Sequence, residues 1–123
     1  MALLYFRPAS MTNGSPTTKR IFSYEDAVAL LPEVRHRTQH AYREVEALAA
    51  SAEANTREAL QGRLEQIVKD WAAALAERGL VVKGLWLVDF DNGSGYYCWQ
   101  YPEEGLQYYH SYEEGFGGRM RIQ

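Results

Sequence analysis

Asp89, His110 and Glu113 are the residues of this chain whose side chains suit acid–base work or the holding of a metal ion. Asp89 stands between Val88 and Phe90 in an apolar run, where an unpaired buried carboxylate is costly. It must therefore reach the end of its strand or find a partner. Arg119 is the obvious cation for it, and Glu114 belongs to the same group by position. The reading placed first is structural: an Asp–Arg or Glu–Arg pair and a hydrogen-bonded histidine pin the C-terminal tail onto a sheet. The reading placed second is a site in which His110 and the carboxylates bind a metal or move a proton.

Two further groups carry chemistry in principle. His36 and His40 lie four apart, a spacing that puts both imidazoles on one helix face. Arg37, Thr38 and Gln39 stand between them, so the glutamate of a zincin motif is missing and nearby arginines repel a cation. A solvated face is the better reading. Cys98 is the single cysteine. It can form no intramolecular disulfide and cannot alone build a thiolate zinc site, so it reads as a small buried apolar residue, with a reactive thiol as the minor reading. No glycine-rich loop has the flanking strand and helix that a phosphate cradle needs.

The aromatic residues Trp86, Tyr96, Tyr97, Trp99, Tyr101, Tyr108 and Tyr109 could stack bases. In this half, however, Lys83, Arg119 and Arg121 face Asp89, Asp91, Glu103, Glu104, Glu113 and Glu114, and the whole chain has a formal charge of -3. A phosphate backbone needs a basic surface, so nucleic acid is excluded as a partner. Such aromatics then serve as core or protein interface.

These residues need elements to position them. The 123 residues, 46% hydrophobic and 24% charged, suit one domain of ordinary composition. Residues 1–19, rich in Pro, Ser, Thr, Asn and Gly, read as a flexible arm, and residues 20–123 as a single α+β domain. Ser23 and Asp26 form a capping-box-like start. Pro32 predicts a short helix ending at Leu31 and a second helix running from Pro32 to about Ala52. Its seam is Val34, Thr38, Ala41, Val45, Leu48 and Ala52.

Asn55 with Glu58 offers the next cap, and Leu60, Leu64, Ile67, Trp71, Leu75 and Arg78 mark a helix that stops at Gly79. A short link makes the two long helices antiparallel. Gly62 weakens the second of them and suggests close packing there. Leu80 to Asp91 and Tyr96 to Tyr101 then form a β-hairpin across Asn92–Gly95, followed by an aromatic, glycine-rich tail.

Neither hairpin face is plainly polar. The outer face is therefore assigned as an interface through Leu85, Leu87, Tyr96 and Trp99, used by a homodimer or by another protein. The opening apolar run is too short for a signal peptide or a membrane span, and a lone cysteine suits a reducing compartment. A cytoplasmic location with no membrane partner is the expectation.

With these residues laid out, the chain resembles a bacterial family known as domain of unknown function 2203. The resemblance rests on Phe22 to Ala27 and Leu30 to Val34 at the start. At the end it rests on Leu87 to Phe90, Cys98-Trp99, His110 to Glu113, Gly115-Phe116 and Gly118-Arg119. It covers residues 20 to the C-terminus and implies no activity. The family pattern carries proline at the positions of Asp91 and Tyr112, which removes Asp91 as a candidate for a shared role.

The functional expectation is a non-enzymatic protein-binding or assembly module with an aromatic C-terminal surface. The alternative is a small metal-dependent or acid–base enzyme centred on Asp89, His110 and Glu113. No cofactor is implied and no metal is assigned.

Overall fold

The computed structural model describes residues 20–51 and 56–122. The expected arm over residues 1–19, the seam position Ala52 and the Asn55 cap fall outside them.

Helix α1 spans Tyr24–Ala50 and is capped as its sequence predicts, the Ser23 hydroxyl oxygen accepting from the Asp26 amide at 3.0 Å. Glu25 and Asp26 add favourable charge to its first turn. The expected break at Pro32 does not occur: α1 is one helix with Pro32 inside it. A proline in a helix interior costs about 3 kcal/mol. Against that, α1 buries Ala27, Leu31, Val34, Thr38, Ala41 and Leu48 along one stripe, and each large apolar side chain so buried returns about 1.5–3 kcal/mol. Pro32 and Val28, whose carbonyl loses its partner, both lie on the exposed side. Packing therefore outweighs the local signal.

Helix α2 spans Arg57–Glu77. Its cap is Thr56, which accepts from the Ala59 amide at 3.1 Å, one residue later than expected. Its end follows the expected chemistry. Gly79 has φ 87°, its amide donates to Ala76 O, and the Leu80 amide donates to Leu75 O. This pattern closes the helix with Leu75 and Leu80 both buried.

Gly62 meets nothing within 4 Å of where a Cβ would stand, so it serves no close approach. The two helices meet through Trp71, whose indole N–H donates to Thr38 Oγ1 at 2.9 Å while that hydroxyl donates to Val34 O at 2.7 Å. A buried hydroxyl and indole thus satisfy one another inside the seam. No helix among the described residues is long and apolar enough to cross a membrane.

The rest of the chain is a five-stranded antiparallel sheet in sequence order. Its strands are β1 (Val81–Gly84), β2 (Leu87–Asp91), β3 (Tyr96–Gln100), β4 (Tyr108–His110) and β5 (Met120–Arg121). The apolar run expected as one strand is therefore two, folded back at Leu85 and Trp86. Trp86 sits at φ 64°, a left-handed geometry that costs an ordinary residue roughly 1–2 kcal/mol. Its ring packs edge-on against Trp71 at 4.9 Å and Tyr42 at 6.0 Å, which offsets that strain with helix contacts.

Val82, Val88, Phe90 and Trp99 are buried against the helices, and Phe22 seals the near end against Phe90 at 5.3 Å. The tail contributes β4, a 3-10 turn at Phe116–Gly118 and β5, so it extends the sheet.

Two stability outcomes follow from this packing. Trp71→Ala is expected to lower unfolding free energy by about 3–5 kcal/mol in denaturant titrations, through the cavity and the lost hydrogen bond to Thr38 Oγ1. Gly62→Ala, on an open helix surface, is expected to raise it by about 0.5–1 kcal/mol in the same measurement.

Candidate functional site

The cluster forms on the face of the sheet turned away from the helices. Register dictates it: Asp91 pairs with Tyr96 across the Asn92–Gly95 turn, so two residues further along Asp89 stands opposite Cys98. Tyr96 in turn pairs with His110 on β4, which sets the imidazole diagonally next to that pair. One ligand atom from each of Asp89, Cys98 and His110 falls in a group no wider than 4.8 Å. The three residues are 1%, 1% and 2% exposed.

His110 has oxygen at both ring nitrogens: Nδ1 lies 2.8 Å from Ser111 O and Nε2 lies 3.0 Å from Asp89 Oδ2. The peptide carbonyl can only accept, so Nδ1 carries hydrogen and donates to it. A second proton must then lie between Nε2 and Oδ2, whether drawn on the ring or on the carboxyl. Lys83 Nζ reaches the same Oδ2 at 3.4 Å and lies 4.3 Å from the centre of the Tyr96 ring. The other carboxylate oxygen, Oδ1, is buried with no hydrogen-bond partner among the described residues. The Cys98 thiol is pushed up to about 12, first by burial and then by the Asp89 charge beside it. A thiol held there is protonated at neutral pH and is no nucleophile.

The tail closes over this face. Arg119 does not pair with Asp89. Its guanidinium grips both oxygens of Glu103, at 3.1 and 2.8 Å, and lies over the Tyr108 and Phe116 rings. One of its nitrogens stands 4.0 Å from Cys98 Sγ. Lys83 supplies the cation that was expected from Arg119, because Lys83 stands on the strand next to Asp89.

Glu113 is exposed and contributes no ligand atom to the cluster, while Glu114 accepts from the Ser111 hydroxyl at 3.2 Å. His36 and His40 are both exposed and line a groove of about 810 Å³ between α1 and α2. His40 lies 3.5 Å from Glu44 there.

The four expected interface residues do not share one exposed face. Leu85 belongs to the turn and packs against the core. Leu87 is half-buried at the start of β2. Tyr96 is half-buried against His110, Tyr112 and Lys83. Trp99 is fully buried on the helix side, its indole donating to Glu103 O at 2.9 Å, because it shares a face with Val88. The large apolar side chains left exposed include Tyr24, Val28, Tyr109 and Met120. Cys98 is the cluster member that residue types alone missed. Counting the register outward from the four-residue turn pairs it with Asp89.

A capped helical hairpin on a five-stranded antiparallel meander, with a sealed Asp–Cys–His cluster under its C-terminal segment, defines an α+β protein of one architecture. Residues 20–122 match the sequence model of the family described as "Uncharacterized conserved protein (DUF2203)", and the chain belongs to that family. No curated protein and no solved structure matches the chain.

The geometry has two measurable consequences. Cys98 is expected to resist a thiol-labelling reagent in the native protein and to react with one equivalent after denaturation; rapid native labelling would contradict its burial. A Cβ on Gly95 would stand 2.5 Å from the His110 carbonyl oxygen, a backbone atom with nowhere to move. Gly95→Ala is therefore expected to lower the melting temperature by several degrees and to shift the His110 ring resonances in an NMR spectrum.

Proposed function

We propose that this protein is a non-enzymatic binding or assembly module, and that it associates with a second copy of itself through the surface where α1 meets the β4–β5 end of the sheet. The observation that carries this reading is a continuous exposed apolar strip. Tyr24 packs on Tyr97 at 5.5 Å, Tyr97 pairs with Tyr109 in the sheet, and Tyr109 pairs with Met120. Val28 lies one helical turn beyond Tyr24 on α1. Tyr24, Val28, Tyr109 and Met120 are 38%, 41%, 37% and 50% exposed. Large apolar side chains gathered in one place on a soluble surface mark an interaction site. A two-fold contact covers the strip on both copies with a single self-complementary patch. The interface residues expected on the outer face give way to this strip, because the tail and the core already occupy Tyr96 and Trp99.

The acid–base or metal-dependent enzyme is the second reading, and it draws on the Asp89–His110 contact at 3.0 Å. It demands that a substrate reach side chains no more than 2% exposed, with Glu113 outside the cluster. A catalytic acid or base must come within hydrogen-bond reach of the proton it moves, and burial this complete favours the binding module.

Sedimentation velocity at micromolar concentration tests the assembly. The expected result is a mass near twice the monomer, returned to one by Met120→Glu, an exposed position whose substitution leaves the core intact. A wild-type monomer, or a dimer indifferent to both Met120→Glu and Tyr109→Glu, overturns association through this strip.

A further inference from the structure

We propose that Asp89, Cys98 and His110 form a binding site for one thiophilic divalent cation of the zinc class. The donor set makes the first argument. A thiol sulfur, an imidazole nitrogen and a carboxylate oxygen within 4.8 Å of one another match the ligand types of a zinc site and stand close enough for one ion to draw together. Magnesium and calcium, which call for oxygen ligands, do not suit a sulfur–nitrogen pair.

Orientation makes the second argument. His110 uses Nδ1 on the Ser111 carbonyl and turns Nε2 to the cluster, which is how a metal-ligating histidine is ordinarily held by the groups behind it. The three donors stand on β2, β3 and β4, adjacent strands whose register fixes them before any ion arrives.

An independent observation points the same way. Asp89 Oδ1 is buried with no partner among the described residues, and a carboxylate oxygen left bare in a sheet is costly. A cation held by the Asp89 carboxylate offsets that cost.

Charge balances in both states. Without the ion, the Asp89–His110 pair shares one proton and the Cys98 thiol holds another, so the cluster is neutral. A divalent cation replaces those two protons, which leave to solvent, and binds neutral imidazole, thiolate and carboxylate, again with no net charge. No oxidant or reductant enters.

Two positive side chains face the site. Arg119 is held by both oxygens of Glu103. Lys83 lies 3.4 Å from Oδ2 on a flexible stem with a side chain 35% exposed, so it can swing outward as the cation takes its place.

Cobalt(II) titration of the metal-stripped full-length protein tests the site. The expected result is one equivalent bound, with the near-ultraviolet sulfur-to-cobalt charge-transfer band that reports a thiolate ligand and with displacement by zinc. Cys98→Ser should abolish that band and weaken zinc, measured against a chromophoric chelator, at least about tenfold. His36→Ala with His40→Ala should change neither. Lys83→Met, which removes no donor, should leave the band in place. Absence of the band in the wild-type protein overturns the site. Binding that survives Cys98→Ser but is lost with His36 and His40 also overturns it, by assigning the ion to the helix surface. If Cys98→Ser fails to fold, the wild-type spectrum decides alone.

Discussion

A carboxylate in the middle of a sheet is the constraint around which the outer half of this protein is arranged. Asp89 is almost wholly buried on β2, and a charge in that position must be compensated from nearby or it destabilises the fold. Lys83 approaches from β1, Cys98 lies opposite on β3, and His110 reaches across from β4. The strands on either side thus answer one group. The tail completes the arrangement, because the Arg119–Glu103 pair and the aromatic rings beneath it close the face to water.

The inner half obeys a different rule. Between the helices and the sheet the contacts are apolar and aromatic, and the polar atoms there are few and mutually satisfied, as Trp71 and Thr38 are. The hydrophobic stripe of α1 is strong enough to carry Pro32 without a break. Trp86 holds an unfavourable backbone angle for the same reason: its ring is worth more between Tyr42 and Trp71 than a relaxed turn would return. In both places long-range burial overrides a local preference.

That override explains which parts of the molecule could be read in its residues. The Ser23 cap, the Gly79 stop and the α2 stripe through Trp71 are written in short-range chemistry and emerged as expected. The helix break at Pro32 failed because propensity is local while the compensation comes from the sheet and the second helix. The Leu85–Trp86 fold-back is announced only by Gly84 before it, because its two central residues are large and apolar rather than turn formers. Strands β4 and β5 are short and carry no clean alternation, so their pairing is settled by neighbours rather than by pattern. At the site, Asp89 and His110 were legible by type. Glu113 is near His110 in sequence but contributes nothing to the cluster, and Cys98 joins it through register, which residue type does not announce.

The meander runs β1 to β5 in chain order, so each strand pairs with the one made just before it. Contacts of this kind are short in sequence and form early. The outer cluster is the exception in timing: Asp89 is in place two strands before His110 exists to meet it. During synthesis from the N-terminus, Lys83 of β1 is therefore the one charged partner among the described residues that Asp89 can meet before β4 brings His110 to it.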